Sequence, residues 1–442
     1  MIKKIIEQSK NKLFLIAYSG GLDSTVLLHK IFTIQKENIP SIQIRAIHIN
    51  HNINYLSKEW AIHCKKICKK YKIPLIIKDI FIKIKKHNCE EQLRIKRYTI
   101  IYQNLCINEI LLTGHHLNDQ CETLILSLKR GSGPTGLSGM EQTSKFGNKK
   151  IIRPFLNIIR QDLELYAQNN KLKWIEDFSN SDILYDRNFI RHKIIPILQE
   201  RWPYFLKNCA RSANICRQET ILLRHFLKQE IKQYITSDYG LKIKNFKNIN
   251  KIKCHSLIRY WISKKTIKMP SYKMIHSIYY QMIYSQKDAN PKIVLNQKEI
   301  RRFKSVLYLI TTQPIIKNII IFWHDTSKNL ILPNALGELK QNPAGLSLPI
   351  PKKNELINIR FQYEGTLLII GRNKKRNIKK IWQEKNIPPW LRNQIPLLFY
   401  NDRFISALGV FIVNTNEKNK KIWKITWKNK IPSKNINQFI FV

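Results

Sequence analysis

Acidic residues are scarce. The 442-residue chain carries 30 Asp and Glu against 77 Lys and Arg, a formal net charge of +47. A field of that sign disfavours basic partners and points to a polyanion, nucleic acid first. Part of the excess reflects a chain crowded with Lys, Ile and Asn and poor in Gly and Ala, the signature of AT-rich coding. No run of eighteen or more apolar residues occurs, which argues against a membrane span. The eight cysteines contain no C-x-x-C and no disulfide-framework spacing, which disfavours zinc ribbons and thiol relays built on that motif. Cys64 and Cys68, four apart beside His63, are expected on one face of a helix over 57–71. The opening "MIKKIIEQSKNKLFLIAYSGG" is basic and then apolar, but its apolar part is short and lacks a small-residue cleavage site. It reads as the first helix and strand of a cytoplasmic protein.

What is present is organised. The length implies two or three domains. Over the first 190 residues or so, β-branched runs ("KLFLIAYS", "IQIRAIHIN", "IPLIIKDIFI", "EILLTGHH") alternate with helical stretches at 25–36, 57–71, 91–106 and 119–129. Such alternation predicts an α/β domain with a parallel sheet covered on both faces. "GSGPTGLSG", 131–139, reads as a mobile loop. From about 197 to 310 the pattern is mainly helical, and the last 110 residues or so look like a small mixed or β-rich domain. The expected division is 1–195, a helical 196–312, and a mixed α/β 313–442.

The junction "SGGLDS", Ser19 to Ser24, joins the first strand to the first long helix. Glycines there let the backbone approach a phosphate, and the helix start offers amides and a favourable dipole. No Lys-Ser/Thr follows, so it is not a Walker A loop, and it is not G-x-G-x-x-G. Asp23 would repel a phosphate unless a cation such as Mg²⁺ lay between them. The loop therefore suits a nucleotide pyrophosphate with Mg²⁺, held by Ser19, Gly20, Gly21, Leu22, Asp23 and Ser24. That signature resembles the PP-loop ATP pyrophosphatase superfamily, which cleaves ATP between the α and β phosphates and adenylates a substrate.

Further stretches narrow the resemblance. "TGHHLNDQCET", 113–123, carries His115, His116, Asp119, Gln120 and Glu122 after an apolar strand, a nucleotide and Mg²⁺ surround more than a zinc site. "EEQLRIKRY" puts Glu90, Arg94 and Arg97 on one helical face. "WIEDFSNSDILYDRNFIR" combines Trp174, Asp177, Ser179, Asn180, Arg187, Asn188 and Arg191. Together with "HINH" at 48–51, and in this order, these segments are similar to the tRNA(Ile)-lysidine synthetases. "GRNKKRNIKKIWQEKNIPPWLRNQIPLLFYND", 371–402, resembles that family's last domain. Gly114 stands where alanine is usual, and Asn118 where aspartate is frequent.

The resemblance implies an α/β PP-loop (adenine nucleotide alpha hydrolase-like) domain, a helical middle domain and a C-terminal tRNA-binding domain. It implies ATP and Mg²⁺ as cofactors, L-lysine and an isoleucine tRNA with a CAU anticodon as partners, and it allows a homodimer. The reaction would adenylate C2 of the wobble cytidine and displace AMP with the lysine ε-amine. Asp23 and Asp119 would lie near Mg²⁺, with Arg94 and Arg187 as further catalytic candidates and His115 and His116 beside the nucleotide. Glu122 and Asp177 would bind lysine. Glu90, Arg97, Asn188, Arg191, Lys379, Lys380, Trp390 and Arg392 are candidates for tRNA or substrate contact. Three rivals remain: a tRNA-thiolating PP-loop enzyme, an amidotransferase-like ligase, and an RNA-binding protein with a dead nucleotide site. The first is weakened by the missing C-x-x-C, the second by the absence of a glutaminase segment, and the third by the intact loop.

Overall fold

The computed structural model describes residues 2–7, 12–37, 39, 41–50, 57–80, 89–176, 181–266, 269–286, 289–312, 314–414 and 421–428, with backbone alone for 2, 4 and 89–91. The chain forms two compact units, 1–224 and 225–442, with the division inside the helix Phe205–Glu230.

The first unit alternates strand and helix. In order it has α1 (Ile2–Glu7), β1 (Leu13–Ala17), α2 (Leu22–Glu37), β2 (Gln43–Asn50), α3 (Ser57–Lys70), β3 (Leu75–Asp79), α4 (Cys89–Asn104), β4 (Ile110–Leu112) and α5 (Leu117–Lys129). Then come α6 (Pro134–Leu137), β5 (Thr143–Phe146), β6 (Lys149–Ile152), α7 (Arg160–Asn169), α8 (Asp186–Phe189), a π turn over Ile190–Ile194, α9 (Ile195–Arg201) and α10 (Phe205–Glu230). The sheet order is β3-β2-β1-β4-β6-β5, parallel except for the β5–β6 hairpin at its edge.

Apolar β1 residues serve both faces of this sheet, as parallel sheets require. Phe14 and Ile16 join α2, α3 and α7 residues in one core, whereas Leu15 meets Ile47, Leu111, Ile151, the α4 residue Ile101 and Leu105 just beyond α4 in another. Each such side chain contributes about 1.5–3 kcal/mol on burial. Cys64 and Cys68 lie buried on one face of α3, as their spacing implies. Strand order reverses between β1 and β4, so the turns after these two strands open side by side. In a parallel α/β sheet that crevice is where ligands bind.

In the second unit the mainly helical middle segment also holds a sheet. Helices Lys251–Ser263 and Tyr272–Ile283 pack on a four-stranded antiparallel sheet that includes 292–295, 298–303 and 306–311. Its two hairpins turn on Asn296-Gln297 and Lys304-Ser305, with Asn296 and Lys304 at φ of 55° and 53°. Neither turn has the Asn-Gly or Asp-Gly signature of a tight hairpin, so the strands pass unmarked in sequence. Beyond 316, antiparallel sheets of five and three strands enclose two further cores. No helix among the described residues is long and apolar enough to cross a membrane.

Candidate functional site

The Ser19–Ser24 loop is held by its own hydroxyls. Ser24 Oγ donates to the Gly21 carbonyl at 3.0 Å and accepts from the Ser19 amide at 3.2 Å, while the two serine hydroxyls lie 3.0 Å apart. Gly20 has φ +88°, and a Cβ there would sit 3.0 Å from Cys64 Sγ. The Gly20 carbonyl accepts from the Ile175 amide at 2.9 Å, so the segment containing Trp174 is laid against the loop. Under it, His48 is buried with Nδ1 3.0 Å from the Tyr18 carbonyl, a brace rather than a ligand-facing group. Gly114, at the end of β4, is more than a small-for-small exchange. A Cβ there would lie 3.0 Å from the Asp23 carbonyl oxygen, so glycine lets β4 approach the first turn of α2.

Asp23 opens α2 toward the turn after β4. One carboxylate oxygen, Oδ1, is buried without a hydrogen-bond partner, and Oδ2 is 3.7 Å from His116 Nε2. Burial raises its pKa from the ordinary 3.8, with His116 acting in the opposite sense. His116 is 1% exposed and stands between two acids, its Nε2 also 3.5 Å from Asp119 Oδ2; neither ring nitrogen has a hydrogen-bond partner. His115 accepts or donates at Thr113 Oγ1, 2.9 Å away. Burial pushes His115 down to about 3, opposed by Asp119 and reinforced by Arg153, Arg187 and Arg97, so its imidazole is neutral at neutral pH.

Asp119 and Glu122, one helical turn apart on α5, face Arg187 and Arg191, four apart across α8 and the π turn. Arg187 Nε donates to Glu122 Oε2 at 2.6 Å and Arg191 Nε to Oε1 at 2.7 Å. Both guanidinium groups also reach Asp119 Oδ1, at 2.9 and 3.2 Å. Asp119 Oδ2 accepts the His116 amide at 3.0 Å. Burial works against ionising Asp119, yet His116, Arg187, His115 and that amide together hold its carboxyl well below the usual range. A cavity of about 300 Å³ adjoins the cluster, lined by Asn118, Arg160, Glu164, Arg191 and His192 among others.

The structure therefore brings Asp23, His115, His116, Asp119, Glu122, Arg187 and Arg191 together beside the loop. It reassigns some expectations. Glu122 is 0% exposed and spent on two arginines, so it does not present a free carboxylate to lysine. The Asn188 amide donates to the Asp182 carbonyl at 2.9 Å, a local tie. The 131–139 stretch contains α6 and is followed by Met140, whose backbone both donates to and accepts from the Gln120 side chain; it is a built segment rather than a mobile loop. Arg94 and Arg97 lie over the Tyr98 ring, 5.9 and 5.5 Å from its centroid. The Glu90 side chain, His51 and Asp177 fall outside the described residues. In the second unit, Lys379 and Lys380 are exposed on a short helix. Trp390 instead packs against Phe303 and Tyr308, and Arg392 Nε donates to the Ile387 carbonyl at 3.1 Å. These two are wedges within that unit. Arg153, half-buried at the end of β6 and part of the field on His115, was not singled out from sequence; its only signal is an arginine directly after an apolar run.

The two aspartates differ as ligands for Mg²⁺. Asp23 fits, with an unpartnered carboxylate oxygen at the loop, whereas both oxygens of Asp119 are already engaged.

A phosphate-cradling loop at the reversal point of a parallel sheet, with an aspartate oxygen left open and an acid–arginine cluster beside it, defines a nucleotide-dependent enzyme of the PP-loop class. Family models agree: residues 1–198 match the PP-loop domain, 241–308 the TilS substrate binding domain, and 357–427 the TilS substrate C-terminal domain. The tRNA(Ile)-lysidine synthases of Buchnera aphidicola from Schizaphis graminum and from Acyrthosiphon pisum are each 61% identical to this chain, with all of both chains covered. That of Serratia proteamaculans is 37% identical over 94% of this chain and 95% of its own. The chain belongs to the tRNA(Ile)-lysidine synthase family.

Proposed function

We propose that the protein is a ligase that uses ATP to join L-lysine to C2 of the wobble cytidine in a CAU-anticodon isoleucine tRNA, turning it from AUG to AUA decoding. The observation that carries this reading is the unpartnered Oδ1 of Asp23 at a complete phosphate loop, set against a charge-saturated Asp119–Glu122–Arg187–Arg191 cluster, in a chain alike over its whole length to lysidine synthases.

Ser19, Ser24 and the first-turn amides of α2 orient the β and γ phosphates. Asp23 would hold Mg²⁺, which neutralises charge on the leaving pyrophosphate. The cytidine C2 oxygen attacks the α-phosphorus, and the bond to the β-phosphate oxygen breaks with its electrons leaving on pyrophosphate. The lysine ε-amine then adds at C2, the C2–O bond breaks, AMP departs, and the amine proton passes to solvent or a neighbouring base. The 300 Å³ cavity is walled by Arg191 and by an Arg160–Glu164 ion pair of 3.0 Å, which sets both signs of charge beside a space of amino-acid size. Exposed Lys379 and Lys380 meet tRNA phosphate in this reading.

Labelled lysine should enter CAU-anticodon isoleucine tRNA only with ATP, and not a methionine tRNA. ATP-dependent pyrophosphate release with no lysine in that tRNA would overturn the assignment and favour another base modification.

A further inference from the structure

A second cavity, of about 290 Å³, lies away from the phosphate loop. It is bounded by the segment after α6, the end of β6 and one face of α10. Arg153, Arg217, Thr220 and Arg224 line it, with Ser144 and Glu141 at its edge. Positions 217, 220 and 224 share a face of α10 by helical spacing.

Its polar groups are incompletely used. Arg217 donates to the Ser138 and Met140 carbonyls, both at 2.6 Å, and Arg153 to the Glu141 carbonyl at 2.7 Å and Ser144 Oγ at 3.0 Å. Those bonds fix the two guanidinium groups in place. Yet Arg153 Nε, Arg217 Nε and Thr220 Oγ1 are all buried with no hydrogen-bond partner. Thr220 is only 6% exposed, and a helical threonine ordinarily bonds the carbonyl four residues back; this one does not. Buried donors are nearly always satisfied, and all three of these exceptions belong to residues that line this one cavity. Three arginines against the single carboxylate of Glu141 give the cavity a net positive charge, which suits an acceptor that is an anion.

We propose that this cavity is a seat for a backbone phosphate of the RNA substrate, gripped by Arg153, Arg217, Thr220 and Arg224. This rests on the reading of the protein as a tRNA-modifying enzyme. It is not a second seat for the nucleotide: β4 separates β6 from β1, whose loop holds the ATP phosphates. A phosphate fixed here, beyond the end of β6, sets the register of the RNA so that one base reaches the His115–Asp119 turn.

Arg224→Gln and Thr220→Val remove a charge and a hydroxyl without touching the carbonyl bonds of Arg153 or Arg217. Arg224→Gln should raise the KM for tRNA about 5–10-fold and reduce the salt slope of tRNA binding by about 1, with the KM for ATP unchanged. Thr220→Val should raise the tRNA KM about 2–3-fold with an unchanged melting temperature. Unchanged tRNA KM and salt slope in both variants, while the wild type still ligates lysine, would overturn the site and leave the functional reading standing. A wild type that ligates no lysine to tRNA would overturn that reading, and this assignment with it. Inhibition by inorganic phosphate is measured in parallel; if the variants lose it while their tRNA KM stays put, a free anion occupies the cavity and the RNA assignment falls.

Discussion

The Ser19–Ser24 loop and the Asp119–Glu122–Arg187–Arg191 cluster open from the same end of the sheet but are completed in opposite ways. The loop satisfies itself with weak hydroxyl bonds and leaves a carboxylate oxygen of Asp23 buried and alone. The cluster pairs every charge it has, with five hydrogen bonds between two acids and two arginines at 3.2 Å or less. The first is unfavourable until something cationic arrives; the second holds its shape without help. A site that must bind and release a charged nucleotide each turnover gains from the first arrangement, and one that must orient groups repeatedly gains from the second.

The largest expected break in this contrast is Asp23→Asn. Turnover in the labelled-lysine assay should fall about 1,000-fold, because the leaving pyrophosphate loses its cation ligand. The same variant should melt at a higher temperature than the wild type in the absence of nucleotide, since it removes a carboxylate whose ionised form burial penalises. A lower melting temperature would show that the Asp23 charge is satisfied within the fold.

Glu122→Gln should act the other way. It strands two half-buried arginines around a fully buried amide, and urea unfolding of the first unit's transition should show a loss of about 3–5 kcal/mol. A loss under about 1 kcal/mol would mean the cluster is solvated in solution.

The smallest effect sharpens the comparison by pH. The lowered Asp119 carboxyl contributes stability that is present above the ordinary 3.8 and is lost as pH falls toward its folded value. The raised Asp23 carboxyl has the opposite sign: its contribution is present at acidic pH and is lost as pH rises through its folded value. Urea midpoints of Asp119→Asn relative to wild type should therefore converge below about pH 4, while those of Asp23→Asn should diverge upward above that pH. Parallel curves for the two variants would contradict the assignment of opposite environments.

Much of this was legible in the residues. The alternation of β-branched runs with helical periods placed β1 to β4 and α2 to α5, because parallel strands buried on both faces leave few polar interruptions. Asp23 stood out as an acid among phosphate-binding residues. What escaped was set by packing across the chain. Nothing local tells that Glu122 is spent on Arg187 and Arg191, sixty-five and sixty-nine residues away, or that Trp390 faces Phe303 and Tyr308 rather than solvent. The hairpins at 292–311 were hidden because their turns use Asn296 and Lys304 in the left-handed region without a following glycine. Arg153 and Arg217 carried no motif at all; only the cavity and their open nitrogens reveal them.

The Ile175 amide on the Gly20 carbonyl has a consequence for transport within the molecule. From that pin, twelve residues lead to Arg187, a contour of at most about 40 Å when fully extended. The phosphate loop and the arginine cluster are thus joined by covalent chain of bounded length, so the two halves of the site meet at a local concentration that does not depend on how dilute the protein is.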